Sequence, residues 1–357
     1  NVRQTDVYYA LKDEVSPDNT IDYLKSLNEY SMYYRNMKYP EHISDKDLRV
    51  RFERLNRIEV TTAYPLILYV YGEFAHNNIS KEQFCEVIDV IENYLIRRFV
   101  CDYKTNTLNK TFGAAYAFIS KYNSDEIVNA VKEYLSTKGY PKDSEFKERF
   151  MTTKLYGGGD RQQKTKFILA SLEKSFEHKE IVQMDNLTIE HVMPQTLSDW
   201  WVDYLGDDAF SIHDIWLHTI GNLTLTAYNS DLSNKSYIQK RSYLSQSHLE
   251  LNKYFTSAGE WKKLDIEKRA EQLSKRALNI WPYFGHEDIE VDGDTKAYSS
   301  PQSVYCLGKY SSVNSWRDVL TFTLNSIYEE LPECFSTIVN AFPKWIGKDG
   351  SKFRAAR

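Results

Sequence analysis

From about residue 19 to residue 180, apolar positions recur at three- and four-residue spacing, and that period predicts a helical region. Ile21, Leu24, Leu27 and Tyr30 form one stripe, and Phe84, Val87, Ile88, Ile91 and Leu95 form another. Turn-forming residues interrupt the pattern at Tyr39-Pro40, at His76-Asn77-Asn78, between Asp102 and Asn109, and at Gly139-Tyr140-Pro141. The run Gly157-Gly158-Gly159-Asp160 predicts a loop ahead of a helix over 161–175. It lacks the G-K-[ST] ending of a phosphate loop, so no nucleotide site is read there.

The pattern changes at Asn186. Leu187-Thr188-Ile189 is short, apolar and β-branched, and Ile220 to Thr226 alternates, so both read as strands. Between them Leu197 to Leu205 reads as an inserted turn or helix rich in tryptophan. A short helix from about Ser236 and a longer one from Glu260 to Ile280 follow, the latter with Trp261, Leu264, Ile266, Leu273, Ala277 and Ile280 on its apolar side. Residues 283–302 are acidic and glycine-bearing, which is a linker composition. Beyond them Val304 to Leu307 reads as a strand and Trp316, Val319, Leu320, Leu324 and Ile327 as a helix face. The predicted class is mainly α with a small α+β unit: a helical region over 1–180, a strand-bearing domain with a closing helix over 181–282, a linker over 283–302, and a small C-terminal α/β domain over 303–357.

Length and composition bound this picture. At 357 residues, with 42% hydrophobic and 27% charged, the chain reads as a packed protein of more than one domain, neither disordered nor fibrous. No apolar run is long enough for a membrane span, and charges occupy residues 1–20 where a signal peptide needs an apolar stretch, so a cytoplasmic protein without a membrane partner is expected. Cys85, Cys101, Cys306 and Cys334 lie far apart with no C-x-x-C pair, which suggests neither a zinc ribbon nor a disulfide framework. A net charge of −5 counts against a protein that coats nucleic acid. Locally the balance reverses: over 234–279 Lys and Arg outnumber Asp and Glu, which reads as a basic stripe or as a solvated helix face.

One constellation has the residues for phosphodiester cleavage. That reaction needs an activated water and a cation to hold charge developing on phosphate. Glu190-His191, at the end of a predicted strand, pairs a carboxylate able to bind a divalent metal with an imidazole able to take a proton near neutral pH. Consecutive strand residues point to opposite faces, so the two share a site only if the strand ends there, and Pro194 supports that ending. Asn222 is read at the opening of the second strand and Asn229 where strand gives way to helix, a place from which an oxygen ligand can face the first strand's end.

These residues carry a family resemblance. Ile189-Glu190-His191-Val192-Met193-Pro194-Gln195, then Thr219 to Leu225, then Tyr228-Asn229-Ser230-Asp231-Leu232-Ser233-Asn234 and Lys240 resemble the signature of the nuclease domain of the GmrSD-type modification-dependent restriction endonucleases. Trp261, Ile266, Arg269, Leu273, Ala277, Ile280, Trp281 and Pro282 resemble that domain's closing helix. Tyr94 to Phe99 and Asn109 to Phe112 resemble the helical region before it, so the resemblance spans roughly residues 20 to 282.

The resemblance implies a ββα-metal fold (His-Me finger, HNH-like). In it His191 is the general base, Glu190 and Asn229 stand at a Mg²⁺ or Mn²⁺ ion, and Asn222 holds the loop that orients His191. It further implies a metal-dependent DNA endonuclease of an anti-phage restriction system, with DNA as partner and modified phage DNA as trigger. Members of the family usually begin with a ParB-like domain bearing a D-G-Q-Q-R type motif. None is present here, so the chain reads as the C-terminal part of a longer protein whose ParB-like NTPase is an expected partner domain or subunit. Glu190 also departs from the Asp that related HNH enzymes often carry. A catalytically silent DNA-binding or assembly module and an RNA-directed nuclease stand as alternatives, and a homo-oligomer is left open.

The remaining candidates have bland readings beside the functional ones. Lys235, Lys240 and Arg241 read as phosphate clamps or as solvated helix charges. His218, directly before the Thr219-to-Asn222 segment, and His213 read as a second ligand or phosphate contact, or as packing histidines. Trp200 and Trp201 read as a base-stacking platform or as core beneath the inserted loop.

Overall fold

A computed structural model describes residues 4–58, 61–177, 184, 186–285, 301 and 303–335. The chain divides into two compact units, residues 1–287 and 288–357. Most of the expected linker, and the basic end of the C-terminal domain, lie outside the described residues. No helix among the described residues is long and apolar enough to cross a membrane.

The first unit is mainly helical, as its periodicity predicts, and among the described residues nine α-helices from Val7–Glu14 to Asp160–Lys174 precede the first strand. Helix Lys81–Val100 is buried along most of its length. Ser80 caps that helix with a reciprocal Gln83 pair, and Phe84, Val87, Ile88 and Ile91 are buried as the spacing requires. The same helix ties the early helices to the end of the unit. Arg97, fully buried, donates to Trp281 O (2.8 Å), Pro141 O (3.0 Å) and the Asp143 carboxylate (2.8 Å). Glu92 accepts from Arg54 (2.6 Å) and from Trp281 Nε1 (3.0 Å), and Asn93 donates to Pro282 O (2.7 Å). One hydrophobic core therefore runs from Tyr33 through the helices to Leu223, Leu225 and Trp281.

The stripe Ile21, Leu24 and Leu27 behaves differently. Helix Thr20–Lys38 forms, yet these side chains are 69%, 59% and 47% exposed. Burial falls instead on Tyr33 and Met37 near the helix end, where Tyr33 stacks on Tyr71 at 4.5 Å. Periodicity marks an apolar face, but only a neighbour decides whether it is covered.

Strand β1 (Thr188–His191) pairs antiparallel with β2 (Leu223–Thr226), in the register Thr188 to Thr226 and His191 to Leu223. The stretch between them holds two helices, Asp199–Leu205 and Ala209–Trp216, and a 3₁₀ turn, Ile220–Asn222. Asn222 thus closes that turn rather than opening the strand. After β2 come a single helical turn, Asn229–Leu232, and helices Tyr237–Leu244, Glu250–Ser257 and Lys263–Ile280. Helix Glu250–Ser257 buries Leu251, Asn252 and Phe255. It is placed by Asn252, which accepts from Thr224 Oγ1 (2.5 Å) and donates to Leu225 O (2.9 Å).

In the second unit β3 (Ser303–Cys306) and β4 (Lys309–Ser312) form a hairpin. Both turn residues, Leu307 and Gly308, have positive φ, the conformation that matches strand twist in a two-residue turn. Helix Trp316–Glu330 follows, with Ser315 accepting from Asp318 N at its start.

Candidate active site

The site grows from the end of β1. Strand pairing stops at His191, and only one further bond, Val192 N to Asn222 O (3.0 Å), extends it. The next residue is held by a side chain. Asn222 Oδ1 accepts from Met193 N (2.7 Å) and Trp261 Nε1 (3.0 Å), while Nδ2 donates to Met193 O (2.9 Å) and Leu217 O (3.0 Å). Asn222 is fully buried with its amide satisfied on both sides. It positions the chain just past His191 from a fully enclosed place.

Asn222 is in turn fixed from below. Helix Lys263–Ile280 packs on the 3₁₀ turn, and buried Arg269 Nη1 donates to Gly221 O (2.8 Å) and Leu223 O (2.6 Å). Burial lowers that guanidinium to about 10, so it stays charged at neutral pH. Gly221 is required by proximity: a Cβ there would lie 2.3 Å from Ile266 O, a backbone atom of that helix. Gly221→Ala is expected to cost about 1–3 kcal/mol or more through overpacking. Urea unfolding measures this, and an unchanged midpoint would mean that the helix moves away freely.

Glu190 and His191 engage different partners, as alternation along a strand dictates. Glu190 Oε1 accepts from Lys240 Nζ at 2.5 Å, and Lys240 also donates to His191 O at 2.7 Å. Both side chains are buried. Burial pushes the pair toward its neutral forms, raising the Glu190 carboxyl and lowering the Lys240 ammonium, while their mutual hydrogen bond opposes both shifts.

His191, 4% exposed, turns to the other side. Its Nε2 lies 3.1 Å from His218 Nδ1, and the Tyr156 ring meets it edge-on at 4.6 Å. Burial first, then His218, Lys240 and His213, pushes the His191 imidazole down to about 3. Burial and the nearby Lys154 and His213 also lower His218. His213 Nε2 lies 3.0 Å from Pro194 O and holds the loop after β1.

Not every residue singled out in the sequence lies where its functional reading needs it. Lys240, read as a phosphate clamp or a solvated charge, is neither, because it is enclosed against Glu190. Arg241 spends its guanidinium on Phe255 O (2.9 Å) and Thr256 O (2.7 Å), closing helix Glu250–Ser257. Lys235 remains half-exposed, with its ammonium 4.8 Å from the centre of the Tyr243 ring. Trp201 is core and donates to Lys235 O, whereas Trp200 stacks on Tyr204. Asn229 is exposed, and its Nδ2 lies 3.5 Å from Ile189 O, two residues before His191.

Tyr156 had no sequence signal as a site residue. It stands in the loop ahead of helix Asp160–Lys174, and the backbone amides of Leu155 and Tyr156 bond His218 O at 2.9 and 3.3 Å. The glycine run that follows marks the loop without revealing what it touches.

Among the described residues, no three His, Cys, Asp or Glu side chains cluster so as to hold a metal. Asn229 Oδ1 makes no hydrogen bond among the described residues, and Glu190 is available only if Lys240 yields. Mg²⁺ keeps several waters and takes one or two protein ligands, with substrate phosphates completing its shell. Asn229 is thus the one donor of this set left open, which is compatible with a sparsely held ion, and no closed cage of His, Cys, Asp and Glu ligands exists among the described residues.

The molecule is thus a mainly helical protein in which a buried histidine, His191, meets the half-buried His218 at the end of a two-stranded sheet. Residues 140–276 match the family model of the GmrSD restriction endonucleases, C-terminal domain, so this part of the chain is similar to a GmrSD-type C-terminal domain. No curated protein matches the chain.

Proposed function

We propose that the chain is a metal-dependent DNA endonuclease of a restriction system directed at phage DNA, working through a ββα-metal site built on β1, β2 and the turn at Asn229. The observation that supports this reading best is His191: a neutral imidazole at a strand end, its following loop pinned by Asn222, inside the segment that matches the restriction-endonuclease family. In this reading His191 takes a proton from water, the resulting hydroxide bonds to phosphorus, and the P–O bond to the leaving sugar oxygen breaks as that oxygen is protonated from solvent. A ring held near 3 is a weak base, and an anionic phosphate drawn alongside favours its protonated form. Asn229, and Glu190 once released by Lys240, would hold the divalent ion, which supplies Lewis-acid stabilisation of charge on phosphate. Of Lys235, Lys240 and Arg241, Lys235 is the cation whose side chain is neither enclosed against a carboxylate nor bound to backbone carbonyls, and it would steady a flanking phosphate.

The commitment of Glu190 to Lys240 favours a second reading, a DNA-binding module whose nuclease fold is silent. Nicking of plasmid DNA, unmodified and phage-modified, with Mg²⁺, Mn²⁺ or EDTA separates the two. Metal-dependent nicks abolished by EDTA are expected. DNA binding without nicks under any of these conditions would sink the enzyme reading, and cutting confined to an RNA substrate would replace DNA as the target.

A further inference from the structure

We propose that His218 is the positioning residue of the site: it accepts a hydrogen bond from His191 Nε2–H and so leaves the lone pair of His191 Nδ1 free to take a proton. This rests on the reading of His191 as general base.

The two nitrogens are 3.1 Å apart, and no other hydrogen bond to either ring is made among the described residues. At that separation one nitrogen must donate and the other accept. Were His218 the donor, His191 would accept at Nε2 and carry its own proton on Nδ1, leaving no lone pair for chemistry. The opposite order leaves Nδ1 basic. Only that order is compatible with a base at this position, because the hydrogen bond made by one ring nitrogen sets the role of the other.

His218 is itself fixed in place. Its carbonyl accepts from Leu155 N and Tyr156 N, at 2.9 and 3.3 Å. Tyr156 stacks on its ring at 5.5 Å and 24°, and the same tyrosine stands edge-on to His191 at 88°. A two-ring wall therefore limits rotation of the His191 imidazole, and half of that wall comes from the helical part of the chain.

The test is ¹⁵N NMR of the histidine rings at neutral pH, together with single-turnover cleavage, on the full chain and on His218→Phe and His218→Asn. Phenylalanine keeps the packing without an acceptor, and asparagine restores an oxygen acceptor close to the place of Nδ1. In the unaltered chain His191 is expected as the Nε2–H tautomer. His218→Phe should give mixed tautomers and a maximal single-turnover rate lowered at least roughly tenfold at saturation, with the half-saturating DNA concentration little changed. His218→Asn should recover both the tautomer and most of the rate. An Nδ1–H His191 in the unaltered chain overturns the proposal. So does a His218→Phe chain whose tautomer and rate match the original. If His218→Phe does not fold, the unaltered chain and His218→Asn still decide. A chain that shows the Nε2–H tautomer but cuts no nucleic acid overturns the general-base reading instead, so the two failures are distinguishable.

Discussion

His191→Ala is expected to lower the single-turnover rate of DNA cleavage by about 10²–10⁴-fold, the usual contribution of a positioned general base, while leaving DNA affinity nearly unchanged. The backbone around position 191 does not depend on the imidazole. Lys240 Nζ holds His191 O, strand pairing holds the residue to Leu223, and Asn222 holds Met193. Alanine therefore removes the ring and leaves its frame. The ring is also too enclosed, at 4% exposure, to be a main determinant of DNA affinity. Rates at saturating enzyme and a binding isotherm check both halves of the expectation. Cleavage at the original rate would remove His191 from the chemistry, and an equal loss of binding and rate would make it a structural residue.

The largest effect on stability is expected at Lys240. Lys240→Met leaves the Glu190 carboxylate buried without its cation and His191 O without its donor, and breaking a buried ion pair from one side costs about 3–5 kcal/mol. Glu190→Gln, which leaves the ammonium stranded, should cost a comparable amount. The double variant Glu190→Gln, Lys240→Met should regain much of the loss, because no unpaired charge remains and the packing volume is nearly kept. Urea unfolding of the four chains forms a thermodynamic cycle. Additive losses in that cycle would mean that the two side chains do not interact in solution, contrary to their 2.5 Å contact. Manganese affinity of Lys240→Met and of the unaltered chain, compared at a denaturant-free reference, tests separately whether Lys240 keeps Glu190 from an ion. Tighter binding in the variant is expected.

Much of the architecture was legible from local pattern alone. Helix Lys81–Val100 was readable because its apolar residues recur at the helical period and nearly all of them find the core. The closing helix was readable for the same reason, though its first residue is Lys263 rather than Glu260. The two short strands were readable from β-branched alternation, and the order Glu190, His191, Asn222, Asn229 marked where to look. Periodicity is a property of neighbouring residues, so it survives without any knowledge of the fold.

What the sequence determined by itself, then, is the helical class and the strand pair, together with His191 as the candidate at the end of the first strand. Tertiary structure alone decided what each side chain meets. Ile21, Leu24 and Leu27 face solvent although they form an apolar stripe, because coverage depends on a partner surface. Lys240 and Arg241 read as cations for phosphate, yet one is buried on Glu190 and the other binds Phe255 O and Thr256 O, contacts made across separate elements. Tyr156 and His218 come together with His191 because the loop before helix Asp160–Lys174 folds back onto the sheet. The physical reason is the same in each case: a side chain's charge state and orientation are set by the groups within a few ångströms, and in a packed core those groups come from distant parts of the chain.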